Sequence, residues 1–334
     1  MDNLTHTLTG IAISQAGLNR KTRFATLALV LASNAPDADI VTRFQSSAVY
    51  LEYHRGITHS VPGGTVLALI LAALLYLVGR RTPPKPSAPP VDAKWLFLVC
   101  WIGVGGHLLL DYTNAYGVRL LMPFTAHWYA WDIMPILDLM LWALLIAGLG
   151  LPALLRLVSE EVGARKTSLQ RGAVLALAGM VLLWGLRDFS HRRALTQLGS
   201  NNYEDEAPLR YGAFPEFSPF DWKGVVETES SFHIVEVNAL ASTLDAEHAA
   251  SIHKPDPSPA LNAALKTHLG VVFTNFARFP YVQVDDTQDG YEVRIRDLRF
   301  GNGSSRSFET TIDLDRELRT QSESFSFMGS GGRP

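Results

Sequence analysis

Residues 61–79 read VPGGTVLALILAALLYLVG, a stretch without a charged side chain that ends at the pair Arg80-Arg81. A helix rises about 1.5 Å per residue, so a helix of this length reaches across the roughly 30 Å hydrocarbon core of a bilayer. We therefore predict that residues 61–79 form a transmembrane helix and that this part of the chain folds within a membrane.

Five further apolar runs organise the rest of the first 190 residues. Residues 95–110, 133–155 and 172–186 can each span a bilayer, the first and last being extended by Lys94 and Arg187 with their charged ends at the interface. Residues 4–18 and 24–35 are too short for full crossings and are predicted to pack inside the bundle. The prediction is an all-α polytopic membrane domain with four clear spans and two short N-terminal apolar helices.

Composition separates this region from the rest of the chain. Of 334 residues, 47% are hydrophobic and 18% charged, but the apolar excess ends near residue 190, which excludes a single globular core. Partial alternation in residues 225–237 and 291–300, and a turn at Asp289-Gly290, predict strands, and residues 259–268 predict a short helix. The predicted organisation is a helical membrane domain (1–190), a linker (191–200), a soluble α+β domain (201–328) and a disordered tail (329–334).

Overall charge and cysteine content exclude several classes of function. A net charge of −3 gives no reason to expect a nucleic-acid partner. The single cysteine, Cys100, excludes an internal disulfide framework and a thiolate zinc cluster. Nucleic acid is therefore not an expected partner, whereas the predicted spans make membrane lipids one.

Loop charges predict the orientation of the spans. With six apolar segments taken in order, the loops within residues 20–23, 80–94 and 156–171 hold eleven Lys and Arg, whereas residues 34–60 and 112–131 hold three. Cytoplasmic loops carry the excess of Lys and Arg. We predict a multi-pass protein of the bacterial inner membrane with its N-terminus, the 34–60 and 112–131 loops and the C-terminal domain on the periplasmic or external side.

Histidine and aspartate side chains recur near that predicted outer face. His107 and Asp111 are four apart on one helix, so both side chains lie on one face and can reach the same ion. Taken alone, such a pair is more often structural than metal-binding, and the same holds for an isolated histidine at a membrane interface, as we interpret His127. The other candidates are Asp37 and Asp39 in a turn after Pro36, His54 and His59 on either side of Gly56, and His6 near the N-terminus. For His59 the structural alternative is a helix start capped by Thr58 or Ser60.

The candidate ligands are predicted to lie close together, which favours one shared metal site over a separate structural role for each residue. The orientation rests on Lys and Arg alone, yet it places all seven side chains at one membrane depth: His6, Asp37, Asp39, His54, His59, His107 and Asp111. Seven ligands are too many for one tetrahedral ion, so the sequence predicts two or three divalent ions, Zn²⁺ or Mn²⁺.

Several of these segments together resemble a known family. The opening MDNLTH, the turn PDAD at 36–39, HRGITHS at 54–60 and GHLLLD at 106–111 are similar to the YdjM-like family of bacterial inner-membrane metal-dependent hydrolases, over roughly residues 1–150. The resemblance implies a membrane-embedded helical metal hydrolase. The His-x-x-x-Asp element is also distantly similar to zinc-dependent phospholipase C-type helical enzymes, which suggests phosphoester chemistry.

Two main hypotheses for function follow. The first is a metal-dependent phosphoesterase acting on a lipid or lipid-linked phosphate, in which Arg55 binds phosphoryl oxygens and Asp138 orients a ligand or pairs within the bundle. The alternative is a non-catalytic protein with a structural metal site and an external partner-binding domain; a transporter is a weaker third possibility. All seven ligands precede residue 112, so a chain ended near residue 198 is predicted to keep its metal.

Overall fold

The computed structural model describes residues 1–84, 86, 88–161, 168–301 and 308–327. The chain divides into two units. We call residues 1–39 with 55–189 the membrane unit, and residues 40–54 with residues 190 onward the C-terminal unit.

Helices build the membrane unit. Their bounds are α1 Asn3–Gln15, α2 Ala25–Ala32, α4 Val61–Arg81, α5 Ala93–Tyr112, α6 Leu139–Glu161 and α7 Leu169–Gly199. Helix α3, Ser47–Tyr53, and the part of α7 from Ser190 onward belong to the C-terminal unit. Helices α4, α5, α6 (as Leu139–Val158) and α7 are long and apolar enough to cross a membrane. The predicted four spans and two short N-terminal helices are confirmed.

Apolar side chains on the outside of these helices explain why the unit needs a bilayer. Large hydrophobic residues are exposed along all four long helices, which is costly in water and favourable against lipid tails. They include Val66, Leu69, Ile70, Leu74 and Leu77 of α4, Leu151, Leu154 and Leu155 of α6, and Leu175, Val181 and Leu182 of α7.

Small residues allow the helices around the site to pack closely. The core between α2, α4 and α5 is rich in alanine, with Ala28, Ala32 and Ala68 fully buried. A Cβ added at Gly103 of α5 would lie 2.8 Å from the Cβ of Ala32. Close contact of α2 with α5 therefore depends on glycine at this position, and it brings the end of α2 next to the polar end of α5.

Two of the predicted spans differ from the structure at their ends. The run predicted from residue 133 becomes helical only at Leu139, because the Asp138 carboxylate accepts a hydrogen bond from the backbone N–H of Leu141 (2.7 Å) and begins α6 there. Arg187 was predicted to place its charge at the interface. It is instead fully buried and lies 2.7 Å from Asp138, so the pair joins α6 to α7 within the bundle.

Two four-stranded antiparallel sheets form most of the C-terminal unit. The first, in the order β1-β2-β3-β4, contains Arg210–Pro215, Asp221–Glu227, Ser231–Asn238 and Ala250–His253. The second, in the order β5-β6-β7-β8, contains Pro280–Asp286, Gly290–Asp297, Glu309–Asp315 and Thr320–Ser326. Helices α8 (Pro259–Ala264) and α9 (His268–Phe276) lie between them in the chain, which confirms the predicted α+β class.

The domain boundaries differ from the prediction in two places. Residues 191–199, predicted as a linker, continue α7, because Ala194 and Leu198 are buried against Trp222 and its neighbours in the first sheet. Residues 40–54, predicted within the membrane domain, belong to the C-terminal unit. The tail predicted as disordered, 329–334, lies outside the described residues.

Candidate metal centre

Four side chains from three parts of the membrane unit converge on one point. Asp37 lies in the 3₁₀ stretch Ala35–Phe44, His59 in the 3₁₀ turn Ile57–His59, and His107 and Asp111 in the last two turns of α5. One potential ligand atom from each lies within 4.8 Å of the other three. The group could hold a metal ion.

The ring of His107 is held in the tautomer that a metal requires. Its Nδ1–H donates a hydrogen bond to the backbone carbonyl of Ser33 at the end of α2 (2.8 Å), so the lone pair is on Nε2. That Nε2 atom faces Nε2 of His59 at 3.1 Å. Two nitrogen lone pairs at this distance repel each other unless a proton or a cation lies between them.

His59 is positioned by the start of α4 and by Asp39. Ser60 caps α4 by accepting a hydrogen bond from the backbone N–H of Gly63 (3.0 Å), which fixes the preceding turn, and confirms the capping alternative for Ser60. A Cβ at Gly63 would lie 1.8 Å from the carbonyl oxygen of Ile57, so only glycine fits. Nδ1 of His59 lies 3.3 Å from Oδ2 of Asp39, leaving Nε2 directed at the group.

Distances among the four atoms fit a tetrahedral ion. Metal–ligand distances of about 2.0–2.2 Å place neighbouring ligands of a tetrahedral zinc ion about 3.3–3.6 Å apart. From Nε2 of His59, Asp37 Oδ1 is 3.3 Å and Asp111 Oδ2 is 3.4 Å away. From Nε2 of His107, the same two oxygens are at 3.7 and 3.5 Å. The four atoms therefore have the spacing that the ligands of a single tetrahedral ion would have, while the number of ions, two or three from the sequence, stays a prediction.

Arg55 holds the other oxygen of Asp111. Its guanidinium donates to Asp111 Oδ1 (3.0 Å), to the side-chain oxygen of Asn114 (3.1 Å) and to the carbonyl of Gly117 (3.1 Å), and it stacks over the Tyr116 ring. The backbone amine of Met1 also contacts Asp111 Oδ1. In the structure Arg55 is buried, both of its terminal nitrogens are engaged, and it holds the Asp111 carboxylate in place; its binding of phosphoryl oxygens stays a prediction.

His6 lies beside the group without a hydrogen bond of its own. Its ring stacks on His107 with centroids 3.8 Å apart, and its Nε2 is 3.5 Å from Asp111 Oδ1. The residue is fully buried, and among the described residues neither ring nitrogen has a hydrogen-bond partner; nor does Asp111 Oδ2. A buried imidazole without a partner is costly, so these orphan atoms also fit a cluster built to hold an ion and its ligands.

Protonation in the metal-free protein follows from the same contacts. Burial would lower the pKa of His59, but hydrogen bonds to Asp111, Asp37 and Asp39 raise that pKa to about 10. Burial would raise the pKa of Asp37, but the hydrogen bond from His59 holds that pKa below its usual value. Without metal, His59 therefore carries a proton where an ion would bind.

The remaining predicted ligands lie outside the four-atom group. Asp39 accepts from the backbone N–H of Arg55 (2.9 Å) and the Thr58 hydroxyl (3.3 Å) as well as facing His59. His54 belongs to the C-terminal unit, and its ring stacks on Tyr50 at 4.4 Å, because α3 ends at Tyr53 and the chain then turns away.

Asn114 and Ser33 contact Arg55 and His107 from distant positions in the chain and were not among the predicted site residues. No local pattern marked either residue. His127 is exposed and contacts Tyr129, and Asp138 pairs with Arg187, so neither is part of the group.

Known proteins match both units. A family model described as YdjM inner membrane protein matches residues 1–194, and one described as the YfhP C-terminal alpha/beta plait domain matches residues 259–330. The chain is 25% identical to YfhP of Bacillus subtilis (strain 168), over 96% of this chain and 94% of that protein. No solved structure matches. The resemblance drawn from residues 1–150 is confirmed, and four apolar helices in such a family fit a multi-pass inner membrane protein.

Proposed function

Because the chain belongs to the YdjM inner membrane protein family, we propose that it is a membrane-bound metal-dependent hydrolase whose centre is formed by Asp37, His59, His107 and Asp111. Two imidazoles and two carboxylates are ligands that suit Zn²⁺ or Mn²⁺. The proposed reaction is hydrolysis of a phosphoester, and the proposed substrate is a lipid or lipid-linked phosphate.

The residues divide into ligands and residues that position them. Ser33 and Asp39 fix the tautomers of His107 and His59, and Arg55 fixes Asp111. A divalent ion, when bound, supplies acidification of a water molecule and polarisation of a phosphoryl oxygen. Of the four ligands only Asp37 has a partly exposed side chain, at 19%, so water and substrate reach the centre from the side of Asp37.

One observation favours catalysis over a structural ion, namely the orphan imidazole of His6. A closed site with four protein ligands needs no further histidine, whereas a buried ring with two unpartnered nitrogens can accept a proton from a reacting water or hold a substrate oxygen. We propose that His6 has this role in the hydrolase.

A second candidate function has its own support. A tetrahedral ion bound by four protein ligands is the arrangement of structural zinc sites, and the described residues supply four potential ligands. This favours the non-catalytic alternative, in which the ion stabilises the membrane unit and the C-terminal unit binds a partner.

Exposed apolar residues beside the ligands support a lipid substrate. Ile57 and Val61, two residues before and after His59, are both about half exposed. The backbone N–H of Val61 donates to the carbonyl of Leu120 (2.9 Å), which places the 119–124 loop next to the start of α4; in that loop Phe124 is 84% exposed. Apolar surface at the end of a membrane helix favours contact with acyl chains.

We also propose that the centre faces the periplasmic or external side. The proposal rests on the eleven Lys and Arg in one set of loops against three in the other. Reporter fusions after residues 84 and 168 are expected to report a cytoplasmic location, and a fusion after residue 320 an exported one. A cytoplasmic location for residue 320 would reverse the proposed orientation.

Hydrolysis by the detergent-purified protein tests the function. Zn²⁺- or Mn²⁺-loaded protein is expected to hydrolyse bis(p-nitrophenyl) phosphate and phosphatidic acid, and His107→Ala is expected to lose both activity and metal. The matched control is His127→Ala, since His127 is exposed and outside the group. Stoichiometric metal without hydrolysis of phosphoesters would support the structural alternative instead.

A further inference from the structure

The sequence of the membrane unit is interrupted between two groups of site residues. Asp37 and Asp39 lie before this interruption in the chain, and Arg55 and His59 lie after it. The residues between them, 40–54, belong to the C-terminal unit, and we call them the docked segment. Half of the ligand set is therefore attached to the two ends of a segment that the C-terminal unit holds.

Contacts within the C-terminal unit hold the docked segment firmly. Its helix α3 packs against α9 and β8, and Leu51 is 1% exposed. The Tyr50 ring meets the edge of the Phe327 ring at 5.2 Å, and the Arg43 guanidinium lies 6.0 Å from the centre of that ring. The Glu52 carboxylate is 3.3 Å from His268 at the start of α9.

The two residues that flank the docked segment, Asp39 and Arg55, contact each other beside the metal centre. The backbone N–H of Arg55 donates to Oδ2 of Asp39 (2.9 Å), which closes the segment at its base. The same oxygen lies 3.3 Å from Nδ1 of His59 and accepts from the Thr58 hydroxyl. A displacement of either end therefore changes the orientation of His59 and the position of Asp37 relative to α5.

We infer that the C-terminal unit positions the metal ligands through the docked segment, with Leu51 and Tyr50 as positioning residues for metal binding. The inference rests on the proposed metal centre. It also reverses an expectation from the sequence: a chain ended near residue 198 lacks α9, β8 and Phe327, which hold the segment, and is expected to bind metal more weakly than the full chain.

Metal affinity of the full-length protein in detergent tests the inference. Leu51→Ala is expected to weaken Zn²⁺ binding about 10- to 100-fold, the effect usual for loss of a group that orients a ligand, and Leu51→Met to restore it. Zn²⁺ affinity is measured by competition with a chelating dye. The visible spectrum of Co²⁺-loaded protein reports ligand geometry, which a purely structural role of Leu51 would leave unchanged.

Two further variants keep the test decisive. Val226→Ala shortens an equally buried side chain in the first sheet, away from α3, and serves as the control. It is expected to leave Zn²⁺ affinity unchanged. Tyr50→Ala removes a ring contact without emptying a buried site, so it answers the question if Leu51→Ala does not fold.

Two results would overturn the inference: wild-type Zn²⁺ affinity in folded Leu51→Ala and Tyr50→Ala, or an equal loss in Val226→Ala. Failure of the proposed hydrolysis is separate from these outcomes, because every readout here is metal binding and not turnover.

Discussion

Asp39 either binds the metal ion itself or orients the ligand His59. The change Asp39→Asn distinguishes these two roles. Oδ2 of Asp39 faces Nδ1 of His59 at 3.3 Å and accepts from the backbone of Arg55 at 2.9 Å. An amide keeps the size of the side chain and its oxygen can take the place of Oδ2, but a neutral oxygen accepts more weakly from Nδ1–H of His59 and no longer offsets the positive charge that the ring gains when Nε2 binds a cation.

The magnitude expected follows from the contact. Loss of a carboxylate that orients a metal-bound histidine weakens metal binding about 10- to 100-fold, which is about 1.4–2.7 kcal/mol. Asp37→Asn removes one of four ligands instead. One quarter of the roughly 10–16 kcal/mol of a four-ligand zinc site is about 2.5–4 kcal/mol, or about 100- to 1,000-fold.

Competition between a chelating dye and the purified protein for Zn²⁺ measures both changes. The control is Asp245→Asn, because Asp245 makes the same kind of contact with a histidine (His248 Nδ1, 2.8 Å) at an exposed position of the C-terminal unit. Equal losses in Asp39→Asn and Asp37→Asn would show that Asp39 is itself a ligand, as the sequence predicted. No loss in Asp39→Asn would refute the proposed orientation of His59.

Three further predictions concern protons, lipid and the bundle. Since His59 is protonated below its metal-free pKa of about 10, metal binding is expected to release about one proton, and the Kd for metal to fall about tenfold per unit rise in pH below that value. Calorimetry in buffers of different ionisation enthalpy measures the proton release. A Kd that does not change with pH would contradict the prediction. Phe124→Asp is expected to lower hydrolysis of phosphatidic acid in vesicles about tenfold and to spare bis(p-nitrophenyl) phosphate, with the exposed Phe217→Asp as control; equal effects of both variants would remove the assigned role of Phe124. Asp138→Asn leaves Arg187 buried without its charged partner and is expected to lower the free energy of unfolding by about 3–5 kcal/mol, measured by denaturation in detergent. The metal content is expected to stay unchanged. A loss of metal in this variant would instead show that the Asp138–Arg187 pair supports the metal centre.

Local patterns predicted the spans well because hydropathy acts residue by residue. The run at 61–79 became α4 with only two residues added at its end. The start of α6 could not be predicted, because it depends on Asp138, which accepts from the backbone N–H of Leu141 and pairs with Arg187 across 49 positions of the chain. The continuation of α7 to Gly199 depends in the same way on Leu198 packing against the first sheet.

In the candidate metal centre, too, the features set by local sequence could be predicted and those set by tertiary contacts could not. The spacing of His107 and Asp111 on one helix face was visible in the sequence, and the structure directs both at one point. The exclusion of His54 was not visible, because it depends on the docked segment packing against α9 and β8, more than 200 residues later in the chain. The engagement of Arg55 by Asn114 and Gly117 is likewise a tertiary contact.

Metal content of the detergent-purified, full-length protein tests the central claim most directly. Elemental analysis is expected to find one divalent ion per folded chain, and less than a tenth of that in His107→Ala at the same free metal concentration. A folded wild-type protein that binds no divalent ion, or a His107→Ala variant that keeps the full amount, would contradict the assignment of Asp37, His59, His107 and Asp111 as a metal centre.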